Sequence, residues 1–384
     1  MKIDLSLRNK FFLLLVFLFN TSVAQQTLPI IKARSNKADI KCNGESVYDS
    51  KSWWRIMPEQ KLDIYYTDKL GETISFCTDE DSIAVKIEEN TVFNFRILLK
   101  KDTAYTQIRY QEPYLTTLKK GKLYDEKQLR DIPDFTYLNS SNRNLKKIRN
   151  ELKLDSIAGG GNEISQLLNV MHWIHNSIRH DGVSDNPLQK NALDLIKVCK
   201  TEKRGVNCRM LATILNECYL SMGFTSRMIT CMPKPLEFDD CHVIDEVYST
   251  QLKKWIWIDP TFNAYVMNEN GELLGIREVR NRLINGQTLI LNPEANWNRQ
   301  RSELKAHYLD YYMTKNLYRL ETVINSTYNS ETAEKNKTIE SVQLLPLDGI
   351  NQEPIVKETR NETTGVTHKT YITNNPEQFW KIKE

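Results

Sequence analysis

Three residues in the second half of the chain have the types needed for covalent chemistry by a thiol. Cys208 lies in Arg204-Gly205-Val206-Asn207-Cys208-Arg209-Met210, directly before a run with helical periodicity. His242 opens Cys241-His242-Val243-Ile244-Asp245-Glu246-Val247-Tyr248, and Asp259 closes Trp255-Ile256-Trp257-Ile258-Asp259-Pro260-Thr261. The thiolate, not the neutral thiol, is the reactive form of cysteine, and a helix N-terminus favours its negative charge. Gly205 lets the backbone turn tightly into that position. His242 would act as base toward Cys208 and then as acid toward a leaving amine. Asp259 would hold the imidazole in one tautomer and orientation. The oxyanion donor is not legible in the sequence, and the backbone N–H of Cys208 is a natural candidate. Taken singly, each residue has a plainer reading. Cys208 would fill a gap between helix and sheet, His242 would be a strand-end imidazole, and Asp259 would start an Asp-Pro turn. It is their order, each at an element end, that points to chemistry. Asp240 and Asp245 compete for the orienting role, although strand alternation puts Asp245 on the face opposite His242.

The surrounding patterns predict the elements that hold these residues. Ile164, Leu167, Leu168, Met171, Ile174 and Ile178 recur at helical spacing, so a helix is expected over 163–179. A shorter helix is expected over 191–198. Met210, Leu211, Ile214, Leu215 and Cys218 mark the helix behind Cys208, with Gly223 as its stop. Strands are expected over 225–231, 242–249 and 253–258. Upstream, Ile83, Val85 and Ile87, then Phe93, Phe95, Ile97 and Leu99, alternate with polar neighbours. The expected organisation is a linker at 25–48, a small β domain at 49–115, a connecting region at 116–160, the catalytic domain at 161–300 and a helix-and-strand extension at 301–384. Trp53-Trp54 reads as packing in the β domain rather than as a carbohydrate platform.

Three motifs in order, Gly-x-x-Cys before a helix, His-x-x-x-Glu-Val-Tyr and Trp-x-x-x-Asp-Pro-Thr, resemble the transglutaminase-like superfamily over roughly 163–265. The resemblance implies an α+β fold with a papain-like core, a central helix against an antiparallel sheet. It also implies a Cys208, His242 and Asp259 triad with no cofactor and no metal. Two positions depart from the usual pattern: Val243-Ile244 follows the histidine, where relatives carry aromatic or Ala-Trp pairs, and Asn207 precedes the cysteine. His180 falls where relatives often show a tyrosine, and is read here as a solvated loop histidine.

The chain opens as an exported one would. Lys2, Arg8 and Lys10 precede the apolar run from Phe11 to Phe19, and Ser22-Val23-Ala24 follows with small residues. Cleavage after Ala24 and a secreted or periplasmic location are expected. No second stretch is apolar enough to span a membrane. Lys and Arg number 52 against 49 Asp and Glu, a net charge of +3 without a basic block, so nucleic acid is not an expected partner. Of seven cysteines, the six besides Cys208 permit up to three disulfides in an exported protein. Cys231 and Cys241 could bridge beside His242 or stay unpaired, and a soft metal site of these two with His242 lacks a Cys-x-x-Cys pair. A serine hydrolase lacks support, because no Gly-x-Ser-x-Gly elbow occurs. No calcium loop is recognisable. The expected function is therefore an exported cysteine enzyme that acts on amide bonds of a protein or peptide through a Cys208 thioester. The substrate could be a cell-envelope peptide, and hydrolysis is expected rather than cross-linking. The alternative is a binding or scaffold protein of the envelope that works through its β domain.

Overall fold

A computed structural model of the protein describes residues 28–48, 52–238 and 240–382. The expected signal segment, 1–24, lies outside these residues. The chain divides into two compact units, one ending at Glu112 and the other beginning at Pro113.

The first unit is all β. One sheet has the order Ile30–Lys32, Val92–Leu98, Thr103–Tyr110, Asp63–Thr67. The other runs Glu45–Ser46, Lys37–Cys42, Thr73–Cys77, Ser82–Lys86, with Trp54–Arg55 also paired to Lys37–Cys42. Alternate residues of both sheets share one core, where Phe76 of one sheet meets Phe95 of the other edge-on at 5.3 Å. Three of these strands fall inside 25–48, where a linker is expected. Ala38 and Ile40 are buried while Lys37, Asp39 and Lys41 are not. This period-two pattern is too short to stand out from its polar surroundings. Trp54 packs on the core, and Trp53 is half exposed beneath Lys37, whose Nζ lies 3.7 Å from the ring centre.

The second unit is built on a seven-stranded sheet of order Lys254–Ile258, His242–Ser249, Thr225–Met232, Arg319–Val323, Thr338–Leu344, Thr367–Thr373, Val356–Arg360. Its central strands are buried on both faces. Val247, Ile256 and Ile258 meet a helical layer, while Ile229, Ile244 and Trp257 meet a second core on the far side. The helical layer contains Arg143–Leu152, Glu163–Ser177, Ala192–Glu202 and, at its centre, Cys208–Met222. Every residue from Met210 to Ser221 in the central helix is buried. The side chain of Asn207 caps it by accepting from the Met210 N–H at 3.1 Å. Gly223, at φ 91°, ends it in the left-handed region, where glycine alone carries no steric penalty. Its one carboxylate, Glu217, accepts from the N–H groups of Ala192 and Asn329 at 2.8 and 2.7 Å.

The expected boundaries of the catalytic domain, 161–300, are too narrow for this sheet. Arg143–Leu152 buries Leu145 and Ile148 against the helical layer, inside the expected connecting region. Four of the seven strands come from the expected extension at 301–384, and Arg319–Val323 bonds directly to Thr225–Met232. The helix expected in the extension is a continuous helical stretch over 305–316, made of a short α-helical segment at Lys305–His307, a π-helix at Tyr308–Met313 and a second short α-helical segment at Thr314–Asn316. All seven cysteines are free thiols. A Cys231–Cys241 bridge fails on register, because Cys231 faces His242 across the ladder and Cys241 falls one residue past its partner position.

Candidate active site

Cys208 is the first residue of the central helix, so its N–H has no partner within the helix. Its side chain packs with Ala212, Met228 and Val243 between helix and sheet while staying partly exposed. His242 begins the strand beside it, and Asp259 directly follows the next strand. The register pairs Asp245 with Ile258, which brings the start of one strand level with the end of the other. His242 Nε2 lies 2.7 Å from Asp259 Oδ2, which leaves Nδ1 to meet the Cys208 sulfur. Both partners of the His–Asp pair are buried, at 1% and 0% exposure.

Asp259 is held from several sides. Oδ1 accepts from the N–H groups of Thr261 and Phe262 at 2.8 and 3.3 Å. Oδ2 also accepts from the Tyr308 hydroxyl at 2.6 Å, and that hydroxyl in turn accepts from Trp257 Nε1 at 3.2 Å. The turn after Asp259 closes on itself through paired bonds between Asp259 and Ala264. From the Glu163–Ser177 helix, His172 Nδ1 meets Asn263 Oδ1 at 2.5 Å, and His175 Nδ1 meets the Pro260 carbonyl at 3.1 Å. The rings of Phe262 and Tyr312 pack edge-on against His242, with centres 5.5 and 5.3 Å away, and cover the imidazole.

The charges follow from this packing. Burial alone pushes the Cys208 thiol up, but hydrogen bonds with the His180 and His242 rings, the charge on His242 and the Val243 N–H bring it down to about 6. Burial would lower His242, yet the Asp259 charge and hydrogen bond, together with the Cys208 sulfur, raise it to about 10. Burial would raise Asp259, but the charged His242 ring and the bonds from His242, Tyr308 and the Phe262 N–H hold it below the usual carboxylate range. The favoured state is a thiolate–imidazolium pair backed by a carboxylate, and the thiolate is a nucleophile ready without a prior proton transfer.

The competing carboxylates stand elsewhere. Asp240 pairs with Lys315 Nζ at 2.8 Å near the surface. Asp245 is fully buried on the other face of the strand, neither of its oxygens has a hydrogen-bond partner among the described residues, and burial pushes it well up. Cys231 is sealed in the core and its thiol is pushed up by burial. No group of three or more His, Cys, Asp or Glu side chains suited to a metal ion occurs among the described residues.

Three contributors are not legible as such in the sequence. His180 is expected in solvent, yet its Nδ1 is buried and its ring packs edge-on to Trp297. Its backbone forms a parallel bridge with Val206, two residues before the cysteine. Tyr308 arrives from the π-helix, a hundred residues past Cys208 in sequence, and no spacing connects the two. His175 was part of an amphipathic helix, with nothing to say that it reaches the Asp259 turn.

Residues 151–260, a range that includes Cys208, His242 and Asp259, match the model of the transglutaminase-like superfamily. Two solved structures are similar to parts of the chain. A candidate cysteine protease from Cytophaga hutchinsonii matches with 23% identity and a TM-score of 0.26, covering 33% of this chain and 40% of that one. Red sea bream transglutaminase matches with 11% identity and a TM-score of 0.23, covering 52% of this chain and 49% of that one. The chain thus spans less than half the length of either. No curated protein matches it. No helix among the described residues is long and apolar enough to cross a membrane.

Proposed function

We propose that this protein is an exported cysteine amidase or peptidase that works through a thioester on Cys208. The observation that carries the reading is the 2.7 Å bond from His242 to Asp259 behind a thiol brought down to about 6. In the proposed cycle the Cys208 thiolate attacks an amide carbonyl. The His242 imidazolium then gives its proton to the leaving amine, and the C–N bond breaks. Water attacks the thioester, His242 takes a proton from it, and release of the acid restores the thiolate. Asp259 stabilises the charged ring throughout and stays ionised.

Hydrolysis is favoured over transfer to an amine because the sequence carries no recognisable calcium loop. The substrate is proposed to be a protein or peptide, with cell-envelope peptides a fitting class for an exported enzyme. A scaffold role with a relic site is disfavoured by the partial exposure of Cys208, since an idle thiol would have no need of an open face. Incubation with a peptide pool and a labelled amine tests the reading. Cleaved peptide or released ammonia without incorporated label is the expected result, and Cys208→Ala should abolish it. Product formation that persists in the Ala variant would rule out the thiol mechanism.

A further inference from the structure

Arg209, the residue after the nucleophile, brings a charge to the face of the sheet on which Cys208 rests. Its Nη2 donates to Thr230 Oγ1 at 2.9 Å, and its Nη1 pairs with Glu331 at 3.3 Å. Thr230 stands directly opposite Val243 in the ladder between Thr225–Met232 and His242–Ser249, and Val243 packs against Cys208. Side chains at opposed positions share one face of a sheet, with Cβ atoms about 4.5–5.5 Å apart. The guanidinium and the sulfur therefore rest on neighbouring side chains. The Arg209 and Glu331 side chains are 34% and 15% exposed, so the pair borders solvent as the thiol does. On its other side Thr230 meets Glu321, whose Oε2 accepts from Gln343 Nε2 at 3.1 Å. Glu331 is the carboxylate that forms the ion pair with Arg209.

Glu331 belongs to the connection 327–337, which lies beyond the family match, and a cation fixes its place. Lys337 Nζ donates to the carbonyls of Asn329, Ser330 and Thr332 at 2.8, 2.9 and 2.9 Å. Carbonyls that converge on one point present the oxygen set that a bound cation takes. The ammonium, with three donors and no acceptor, matches that set. Glu331 lies between Ser330 and Thr332 in the chain, so the cradle holds its backbone from both sides. The cradle is tied to the helical layer as well. Asn329 N–H donates to Glu217 on the central helix at 2.7 Å, and Lys190 N–H donates to Thr332 Oγ1 at 2.8 Å. The Thr332 hydroxyl closes the turn on Asn329 Oδ1 at 2.5 Å. Asn329 itself has φ 58°, in the left-handed region that asparagine tolerates better than most residues.

We propose that Lys337 is a positioning residue whose ammonium serves as a resident cation, holding Glu331 against Arg209, and that this pair makes the site prefer neutral over acidic groups beside the scissile amide. The substrate preference rests on the hydrolase reading above. An unpaired guanidinium next to the sulfur would draw a carboxylate toward it. With Glu331 in place that attraction is cancelled, and an acidic side chain arriving there meets a like charge. Lys337 touches neither substrate nor sulfur; it acts through Glu331.

Charge selectivity at the sulfur tests this without turnover. Iodoacetamide and iodoacetate alkylate the same thiolate with loss of iodide, and they differ by one negative charge. The ratio of their rates at Cys208 cancels the fraction of thiolate. In Glu331→Gln the iodoacetate-to-iodoacetamide ratio should rise roughly threefold or more, and fall back toward the wild-type value in 1 M sodium chloride, where the Debye length is about 3 Å. Lys337→Met, which lacks the donors, should raise the same ratio. The double variant should raise it no further than Glu331→Gln alone, because the two residues act as one unit. Where Lys337→Met does not fold, Lys337→Ala is measured with propylammonium chloride, which replaces the missing chain. Propylammonium should restore the urea midpoint and the wild-type ratio, and tetramethylammonium, which has no N–H, should not. An unchanged ratio in Glu331→Gln would overturn the charge pair. Lost stability with an unchanged ratio in Lys337→Met, or equal behaviour of Lys337→Ala in the two salts, would overturn the role of Lys337. With peptide substrates, Glu331→Gln should lower KM for those carrying Asp or Glu beside the cleaved bond and leave KM for neutral ones and kcat little changed; equal shifts for both would overturn the preference. Wild-type protein that shows the ratio changes but cleaves no amide would count against the hydrolase reading and leave the charge pair standing.

Discussion

Cys208 is an ordinary residue made reactive by what surrounds its sulfur. With the thiol at about 6 and His242 at about 10, the thiolate forms as pH rises through the first value. The imidazolium is lost as pH rises through the second, so the ion pair exists between them. Alkylation of Cys208 by iodoacetamide should therefore rise with a midpoint near 6, whereas an unperturbed thiol has its midpoint at about 8.5. Turnover should peak between the two values and fall on the alkaline side as His242 loses the proton it must give away. Asp259→Asn removes the main support for charged His242 and should move the alkaline limb to lower pH. An alkylation midpoint near that of a free thiol would sink the ion-pair assignment. Asp245 illustrates the opposite outcome: a carboxyl three residues from His242 is pushed well up because the strand turns it into the core without a partner among the described residues.

Among the elements, the junction between the segments around His180 and Val206 matters most to the site. Gly205 there is not in a left-handed turn. It serves close approach, since the Arg179 carbonyl and the Asp181 side chain fill the space a Cβ would need. Gly205→Ala must push the segments apart, and overpacking of this kind costs about 1–3 kcal/mol. The expected outcome is a lower urea midpoint together with an alkylation midpoint above that of the wild type, because His180 is carried away from the sulfur. Lost stability with an unmoved alkylation midpoint would mean that the junction does not set the position of His180. The π-helix at Tyr308–Met313 is the other element of note. Its wider turn places Tyr308 on Asp259 and Tyr312 on His242, a use consistent with π-helical turns recurring at functional sites.

For the whole molecule, the candidate site depends on chain that lies far beyond the family match. The strand Arg319–Val323 covers the edge of Thr225–Met232, and three further strands extend the sheet beyond it. A chain ending at residue 300 would leave one edge of the buried strand Thr225–Met232 unpaired and remove Tyr308. It is expected to show no cooperative unfolding transition and no alkylation near pH 6. A chain of residues 113–384 holds one compact unit with all of its sheet and should keep both properties. Urea denaturation followed by tryptophan fluorescence, with alkylation measured in parallel, compares the two. A stable, reactive fragment ending at 300 would contradict the proposed dependence on the last strands.

The sequence by itself singled out Cys208, His242 and Asp259 as the candidate nucleophile, base and carboxylate. Each sits at the end of an element that local pattern predicts: the cysteine at the start of an apolar helix, the histidine at the start of one strand and the aspartate directly after another. Local pattern also sufficed for the helix from Glu163 and for the strands Ser82–Lys86 and Val92–Leu98 of the first unit. It failed at Lys37–Cys42, where the alternation is short, and at the tail, where strands such as Val356–Arg360 are polar and largely exposed. That Cys231 and Cys241 stay unpaired depended on register, which sets Cys231 opposite His242 rather than Cys241. His180, Tyr308 and His175 were decided by the tertiary structure alone. Their roles come from contacts between segments distant in sequence, set by sheet order, by the clearance at Gly205 and by the pitch of a π-helix. No periodicity within a segment encodes such distances.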